Sequence, residues 1–562
     1  MSEANEQETK RKIKLTYIIS AIAISCLMIG PSMGIMISAT TPSIPTVIVP
    51  GSMVNPTSYV IFRVDNTWYG KNGTTGNMDF SSTNATKLIQ DCIDAADVPS
   101  VVSFKPSGPI GTVYVRSAFN SFYELNLTTT IVVKDGISLD GNGIRLAVKH
   151  RNDTIFQVRS LVWESYELNS FNMFIRSFTL LGDESNLGTI GFEIDDLSRG
   201  VIISDIYTDS VAYPVILFGA DFNSQVTQSR LLHGQIGVWL KQNLTVSSGP
   251  NACRITDNDI SGFDQIGVKV EKATGMKITN NYFETNLVAV HLNWSQPIVS
   301  ENFLYISSNQ RGVVINVSCN PVISGNEFLM MPSSVGIDAL DLWSHIVVGS
   351  NEFTQYANCI SFRSSQESIA SITGNHASIN GLNSSFFFGK LTRSSVVGNS
   401  VYGGVPSINV TGGAWTSYVG NTLANGDKGL RLKSSSQNII VGNLFRSANI
   451  DLYMDSCDNN TIADNFFYAT SKIIQVYCTG TDIHSNHGYV TESSGAIAIT
   501  GGVNTVTVNH GLSATPTVVL VTGNNTLIGN STVTSISSTQ FVISFENQPG
   551  SNTWTFYWYA NV

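Results

Sequence analysis

An asparagine recurs every 21 to 25 residues through the middle of this chain, and this spacing constrains the fold more than any other feature. A repeat of this length indicates a solenoid, in which each unit buries its apolar side only against its neighbours. The sequence therefore predicts a ladder of stacked asparagines along a coiled chain: Asn258, Asn281, Asn302, Asn326, Asn351, Asn375, Asn399, Asn421, Asn443, Asn465 and Asn486.

The residue types within the repeat decide what each turn is made of. Twenty-odd residues can form either a strand and a helix or two to three short strands. The repeat region is rich in Val, Ile, Thr, Ser, Asn and Gly and poor in Ala, Leu, Glu and Lys. Because these residue types favour strands and turns over helices, we predict an all-β chain coiled as a parallel β-helix.

The recurring asparagine has a structural interpretation. Successive turns of a parallel β-helix lie about 4.8 Å apart, the ordinary spacing of hydrogen-bonded strands. An asparagine amide both donates and accepts, so each one can bond to the asparagines above and below it. Asparagine also tolerates the left-handed backbone of a sharp corner, which is one reason why asparagine and its neighbouring glycine are used there. We therefore expect the ladder to fix the register of the turns.

A short alternating strand follows about ten residues after each ladder asparagine, as in 267–271, 289–293 and 429–433. Alternate side chains of a strand face opposite sides, so the aliphatic residues point inward and the others form an exposed sheet face. In this register one outward column contains Glu193, Trp239, Lys269, His291 and Asp338, with Asp195, Lys241 and Glu271 beside it.

The N-terminal region predicts export. Residues 1–14 form a basic cytoplasmic tail, and residues 15–37 form an apolar segment that is either a transmembrane anchor or a cleaved signal. The basic flank stays inside the cell, so the body is extracellular and is either anchored to the cell surface or secreted. Residues 38–58 are a Pro/Thr/Ser-rich linker.

The remaining boundaries follow from where the repeat begins and ends. Residues 59–150 form an N-terminal cap and the first rungs, with an amphipathic helix near 85–96 that covers the open end of the coil. Residues 151–490 form the parallel β-helix. Residues 491–562 lack the repeat and show short alternating strands, which predict a small antiparallel β-sandwich.

Several segments carry a resemblance to a known superfamily. The stretch from Tyr69 to Gly73 (Tyr-Gly-Lys-Asn-Gly) and the helical segment from Leu88 to Gln90 are similar to an entry segment and capping helix. Segment 130–143 (Thr-Ile-Val-Val-Lys-Asp-Gly-Ile-Ser-Leu-Asp-Gly-Asn-Gly) is similar to the first rungs. Over residues 59–490 the chain resembles the right-handed parallel β-helix proteins of the pectate-lyase-like and tailspike-like superfamily. The resemblance implies a single-stranded right-handed coil, and many unrelated functions share this scaffold.

The C-terminal domain carries a second resemblance. Its stretch from Val508 to Leu512, followed by Pro516, is similar to small terminal domains of β-helix and phage-fibre proteins. This similarity implies binding, assembly or capping. Tailspikes form trimers, so the resemblance leaves a homotrimer open.

The net charge bears on the partners of the protein, and the glycosylation sequons bear on its compartment. The net charge is −10 with 13% charged residues and no basic stripe, which argues against nucleic acid as a partner. Asn-x-Ser/Thr sequons, which suit an exported glycoprotein, occur at Asn72, Asn84, Asn126, Asn152, Asn243, Asn293, Asn316, Asn383, Asn409, Asn459, Asn524 and Asn530.

The cysteines are too few for a disulfide framework. Cys457 and Cys478 lie 21 residues apart, almost one rung, so the spacing allows either a bridge between rungs or two buried thiols. No spacing is typical of a zinc site, and we predict neither a metal site nor a cofactor.

Two hypotheses of function remain. The first is a cell-surface protein that is structural or binds a polysaccharide or other surface glycan, with Glu193, Trp239, Lys241, Glu271 and Asp338 as binding residues. The alternative is an extracellular polysaccharide lyase or glycoside hydrolase, with catalytic candidates Asp195, Lys269 and His291. Calcium would take part only in the lyase. The motif series of polygalacturonase-type hydrolases is not found in order, so we prefer the first hypothesis.

Overall fold

Each turn of the repeat forms three short strands, and each strand pairs in parallel with its equivalents in the turns above and below. The computed structural model describes residues 58–96, 111–116, 125–134, 136–148, 151–159, 173–195, 198, 200–219, 221–244, 249–340, 345–355, 358–364, 366–380, 383–524, 529–548 and 553–562. The predicted tail, the membrane segment and nearly all of the linker lie outside these residues. Within the described residues, no helix combines the length and the hydropathy needed to cross a bilayer.

The three stacks of strands are called sheets 1, 2 and 3 in the order in which one turn visits them. Four long strands bend through a corner and contribute to two sheets: Ile137–Ala147 and Phe174–Leu181 to sheets 1 and 2, and Arg230–Lys241 and Asp259–Glu271 to sheets 2 and 3. The predicted all-β, right-handed parallel β-helix is confirmed, with about 14 turns.

The other strands belong to one sheet each. Sheet 1 contains Tyr59–Val64, Gly111–Val115, Ile202–Ser204, Gln225–Thr227, Arg254–Thr256, Thr274–Thr279, Gln296–Ser300, Val322–Ser324, His345–Gly349, Ile369–Thr373, Ser395–Val397, Ser417–Val419, Ile439–Val441, Thr461–Ala463 and Asp482–His484. Sheet 2 contains Leu125–Asn126, Tyr207–Asp209, Tyr282–Glu284, Phe303–Ile306, Glu327–Met330, Glu352–Gln355, His376–Ile379, Ser400–Tyr402, Thr422–Ala424, Leu444–Arg446 and Phe466–Phe467. Sheet 3 contains Ile131–Lys134, Thr154–Arg159, Ile190–Ile194, Tyr213–Phe218, Val288–Asn293, Arg311–Ile315, Val335–Ala339, Asn358–Phe362, Phe386–Phe388, Ile408–Thr411, Lys428–Lys433, Ile450–Asp455 and Ser471–Val476.

The corner between sheets 1 and 2 holds the recurring asparagines in one continuous file. In a typical step, Asn326 Nδ2 donates to Asn351 Oδ1 at 2.9 Å and to the carbonyl of Val299 at 2.9 Å. The backbone N–H of Asn326 donates to the same Asn351 oxygen at 3.0 Å. The same link joins each asparagine to the next from Asn258 to Asn486. Each amide therefore satisfies buried backbone groups as well as its neighbour.

The left-handed backbone of this corner lies at the residue before each ladder asparagine, so the expectation holds for the neighbouring glycine and not for the asparagine itself. The positive φ angles belong to the residues before the asparagines, such as Asp257 (φ 58°), Asn280 (φ 58°) and Gly374 (φ 63°). The ladder residue is therefore selected for its amide, and the residue before it for its tolerance of the left-handed region.

Helix α1, Ala85–Ala96, closes the first turns, as its amphipathic pattern predicts. Leu88, Ile89, Cys92 and Ile93 are buried on one face. The side chain of Gln90 accepts from the backbone N–H of Val132 at 2.8 Å and donates to its carbonyl at 3.1 Å. Gln90 thus satisfies backbone groups of the first strand of sheet 3. The helix is preceded by the antiparallel strands Thr67–Asn72 and Met78–Ser82.

The C-terminal region forms the predicted pair of small antiparallel sheets. One contains Glu492–Thr500, Thr553–Asn561 and Val518–Gly523, and the other Thr505–Asn509, Gln540–Phe545 and Ser531–Ile536. Its own core, separate from that of the coil, includes Phe541, Ile543 and Phe556.

Candidate functional site

The outward column of sheet 3 brings the sequence-predicted site residues into register. Lys269 pairs with Trp239 on one side and with His291 on the other. Successive rungs place these residues in one column: Glu193, Ile216, Trp239, Lys269, His291, Val314 and Asp338. Neighbouring members are therefore about 4.8 Å apart along the backbone.

Trp239 is the centre of a compact group of charged side chains. The Nζ atoms of Lys269 and Lys241 lie 4.4 Å and 4.7 Å from the centre of the indole ring. Glu271 accepts a hydrogen bond from Trp239 Nε1 at 3.1 Å and forms an ion pair with Lys269 Nζ at 2.7 Å. All four side chains are partly exposed. Two cations thus lie against one aromatic ring, and the quadrupole of the ring attracts them.

Two further aromatic residues belong to this group. The rings of Tyr213 and Trp239 are 5.8 Å apart, and Lys241 Nζ lies 5.7 Å from the ring of Phe218. We call these six residues (Tyr213, Phe218, Trp239, Lys241, Lys269 and Glu271) the Trp239 cluster. Tyr213 and Phe218 were missed at the sequence level, although their strand fills the slot one rung before Trp239.

His291 lies beside the cluster, where its surroundings favour the neutral form. Burial is the main cause that lowers its pKa, and the nearby Lys269 lowers it further. Asn316 Nδ2 contacts His291 Nε2 at 2.9 Å; an amide nitrogen donates, so Nε2 accepts and Nδ1 carries the proton. Nδ1 is buried with no partner. The lone pair that a general base would use is already engaged.

Glu193 and Asp195 lie away from Trp239 and Lys269. Glu193 accepts from Thr154 Oγ1 at 3.0 Å and Gln157 Nε2 at 3.3 Å, and the buried Ile216 separates its rung from that of Trp239. Asp195 directly follows the strand that contains Glu193. Three rungs, or about 14 Å, therefore separate these carboxylates from Lys269.

The structure corrects the expectation that Asp338 is a binding residue. Its register is the predicted one, but its side chain is fully buried and not available to a ligand. Arg363 Nε donates to Asp338 Oδ1 at 2.8 Å, and Arg311 Nε lies 3.3 Å from Oδ2. The two arginines come from the neighbouring rungs and fold over the carboxylate. Asp338 is therefore part of an ion-pair network and not of an open binding surface.

These positions bear on the catalytic candidates Asp195, Lys269 and His291. The two carboxyl groups of a glycosidase flank one bond and are at most about 9.5 Å apart. Lys269 and His291 occupy adjacent rungs, whereas Asp195 lies three rungs away. The geometry does not gather the three around one glycosidic bond.

A small pocket beside sheet 2 was not selected from the sequence. His233 Nδ1 lies 2.9 Å from Asp209 Oδ1, and Gln235 donates to Asp264 at 3.1 Å. Asp183, Glu184 and Gly262 are among the other residues that line the pocket. Residues from different rungs build this pocket, so sequence spacing alone does not reveal it.

In two of the predicted sequons, the side-chain amide of the asparagine already forms a structural hydrogen bond. Asn72 is buried, and its Nδ2 donates to Asp79 at 2.8 Å. Asn316 uses its Nδ2 to bond His291. A glycan on either nitrogen would displace these bonds. The exposed sequons with described side chains are Asn84, Asn152, Asn383, Asn459, Asn524 and Asn530.

The cysteines of the described residues are free thiols. The backbone N–H of Cys457 donates to Cys478 Sγ at 3.4 Å, so these residues are neighbours on adjacent rungs without a bridge. Cys457 is buried, and burial raises the pKa of its thiol. Of the two alternatives left by the sequence, the structure shows the thiols.

The fold and the Trp239 cluster together define the class: a right-handed parallel β-helix protein with a charged, aromatic lateral face. The model of the family described as periplasmic copper-binding protein (NosD) matches residues 222–418 and 298–503. The two matches together span residues 222–503, half of the chain, and the chain belongs to this NosD family. No curated protein is significantly similar to it.

Solved structures with the same architecture are distant. A mutant tailspike protein of E. coli bacteriophage HK620 in complex with a pentasaccharide is 11% identical, with a TM-score of 0.43 over 87% of this chain and 92% of that one. The periplasmic alginate epimerase AlgG, also as a mutant, is 10% identical with a TM-score of 0.29 over 59% and 78%. Tailspike protein 3 of bacteriophage CBA120 is 10% identical with a TM-score of 0.32, and the match spans 74% of this chain but only 65% of that one.

The family description raises the question of copper. Among the residues that the structure describes, no three His, Cys, Asp or Glu side chains lie together in a way that could hold a metal ion. The buried cysteines are dispersed along the coil, and His291 is engaged by an amide. The donor set described for this chain does not fit a copper site.

Proposed function

We propose that this protein is an extracellular β-helix rod that binds an anionic polysaccharide through the Trp239 cluster. The observation that carries the proposal is the placement of Lys241 and Lys269 at 4.7 Å and 4.4 Å from one partly exposed indole ring. The HK620 tailspike mutant is in complex with a pentasaccharide. Binding by the present chain is inferred from its own residues.

The chemistry of the cluster suits a sugar that carries a carboxylate or sulfate. An indole ring provides a flat apolar surface for one face of a sugar ring. Each lysine ammonium can pair with an anionic group, and an anionic ligand can compete with Glu271 for Lys269. A neutral sugar would gain the stacking contact alone. We therefore expect anionic polysaccharides to bind more tightly than neutral ones of equal length.

A binding assay on anionic and neutral glycan panels tests this proposal. The change Trp239→Ala, or Lys241→Met combined with Lys269→Met, should weaken binding of the anionic glycans at least tenfold. The matched control is Trp415→Ala, because Trp415 is 53% exposed and lies 5.7 Å from the guanidinium of Arg393 on another part of the rod. If Trp415→Ala weakens binding as much as Trp239→Ala, the cluster is not the site.

Depolymerisation is the competing hypothesis, and the same glycans test it. We expect no new reducing ends or unsaturated products with the intact protein, with or without calcium, because Asp195 lies too far from Lys269 and His291 to act with them. Cleavage that is abolished by Lys269→Met and retained in Trp415→Ala would replace the binding proposal with an enzymatic one.

The proposal includes surface attachment through residues 15–37, whose length and hydropathy suit a membrane segment. The full chain should remain in the membrane fraction after alkaline extraction, and the chain without residues 1–37 should be soluble. Release of a shortened chain into the medium would instead indicate a cleaved signal.

A further inference from the structure

Sheet 2 presents a second aromatic surface that is independent of the Trp239 cluster. Tyr282 and Phe303 stack on adjacent rungs, with ring centres 5.4 Å apart and planes inclined by 2°. Glu284 and Tyr305 form the next outward pair in the same two strands. Tyr282 is 38% exposed, and its hydroxyl donates to Glu284 at 3.0 Å. We call these four residues the Tyr282 platform.

The charge around the Tyr282 platform is of one sign. Segments 257–261, 280–284, 301–305, 325–329 and 350–354, which form this part of the face, contain no Lys, Arg or His. They contain six acidic residues: Asp257, Asp259, Glu284, Glu301, Glu327 and Glu352. Arg230, from the preceding rung, pairs with Asp259 at 2.9 Å at one end of the row, and at the other end His376 is the register partner of Glu352 in the next rung.

The backbone of this face offers no edge to a peptide strand. The N–H groups of Tyr282, Phe303 and Glu327 donate to the carbonyls of Asn258, Asn281 and Asn302 at 2.8 to 3.0 Å. Strand addition to a sheet needs free backbone groups at an edge. A ligand of the Tyr282 platform must therefore be recognised by side chains alone, through ring faces and carboxylates.

We infer that the Tyr282 platform and its flanking carboxylates bind a cationic polysaccharide, one built of amino sugars with free ammonium groups. The stacked rings provide the apolar surface for a sugar face and attract an ammonium group through their quadrupoles. The carboxylates of Glu327 and Glu352, on adjacent rungs about 4.8 Å apart, pair with successive ammonium groups of an extended chain. Glu284, two rungs before Glu327 in the neighbouring column, pairs with a third. The charge complementarity is opposite to that of the Trp239 cluster.

Titration of the full chain with glucosamine hexamer tests the inference, with the fully N-acetylated hexamer as the uncharged control ligand. The titration is carried out about one pH unit above the ordinary Glu pKa of ~4.3, where carboxylates and glucosamine ammonium groups are both charged. We expect saturable binding of the cationic hexamer that weakens with added salt, and at least tenfold weaker binding of the acetylated one.

Variants locate the binding. The double substitution Glu327→Gln and Glu352→Gln removes two charges and keeps the shape of the side chains. It should weaken binding of the cationic hexamer at least tenfold and reduce the salt dependence of that binding. Tyr282→Ala should weaken it by a similar factor. Glu492→Gln, an exposed carboxylate of the C-terminal domain, is the matched control and should leave binding unchanged. Trp239→Ala should also leave it unchanged, so this test is separate from that of the proposed function.

Three results would overturn the inference. Equal binding of both hexamers would show that charge does not select the ligand. Oligolysine of equal charge binding as tightly as the glucosamine hexamer would assign the face to a basic polypeptide. Absence of saturable binding by the intact chain would remove the site.

Discussion

The asparagine corner and the outward column of sheet 3 run along the same rungs but obey opposite rules. At the corner, one residue type recurs because each amide bonds to the rungs above and below, and its atoms are buried. On sheet 3, Trp239, Lys269 and His291 follow one another without repetition, because each outward side chain needs only local partners. Repetition marks what holds the coil together, and departure from it marks where the surface can acquire a ligand.

Breaking the corner should have the largest effect. Asn375 accepts from the N–H and Nδ2 of Asn351 and donates to Val348 O and Asn399 Oδ1. Asn375→Leu leaves several of these buried groups unpaired at about 1–3 kcal/mol each, so we expect a loss of about 5 kcal/mol in the free energy of unfolding, measured by urea denaturation.

The control for Asn375 is Ser371→Ala, an outward position on the same rung. It should change the free energy of unfolding by less than about 0.5 kcal/mol. Equal effects of the two substitutions would show that the asparagine corner contributes no more to stability than an outward surface position.

A buried carboxylate outside the asparagine ladder should make the stability of the coil depend on pH. Burial raises the pKa of Asp221 to about 7, although Ser224 and Cys253 donate to it. The folded state thus holds this proton more tightly than the unfolded state, whose pKa is near 3.9. Stability from this group is present below about pH 4 and falls as pH rises towards 7, by about 4 kcal/mol in all.

Asp221→Asn should remove that fall, which a series of urea midpoints from about pH 4 to pH 7 would show. The exposed Asp458 is the contrasting group, because its bonds to Thr479 lower its pKa. Asp458→Asn should leave the fall in place. A wild-type stability that does not decline more steeply than that of Asp221→Asn would contradict the assignment.

Within sheet 3, Asp338 should behave as part of the framework. Asp338→Asn removes the buried charge that Arg311 and Arg363 share, and we expect a loss of about 3 kcal/mol in the free energy of unfolding. Glu193→Gln, in the same column but partly exposed, should lose less than about 1 kcal/mol. Similar losses at both positions would mean that burial does not separate them.

The smallest effect on stability belongs to the proposed binding surface. Lys269→Met removes a partly exposed ion pair with Glu271 and should change the free energy of unfolding by less than about 0.5 kcal/mol. The same substitution, combined with Lys241→Met, is expected to weaken binding. A large loss of stability would instead place Lys269 in the framework together with Asp338.

The sequence predicted the coil, its register, the capping helix and the C-terminal pair of sheets because these depend on periodicity. It also brought Trp239, Lys241, Lys269 and Glu271 together, since residues one repeat apart become neighbours once the register is known. It missed Tyr213 and Phe218, because the sequence does not record that their rings lie near Trp239 and Lys241. It also assigned Asp338 to the exposed surface, and it assigned the left-handed backbone to the ladder asparagines as well as to their neighbouring glycines, where only the second assignment is right.

The amino-acid pattern by itself determined that this chain coils and which residues share a column, because strand spacing and side-chain alternation act locally in every turn. Only the tertiary structure decided which members of a column are open. Arg311 and Arg363 bury Asp338 by reaching across rungs, and Lys269 reaches the ring of Trp239 in the same way. Lys241 approaches that ring from the same strand. The conformation of a long cationic side chain depends on partners some 25 residues away in sequence, and no local pattern records it.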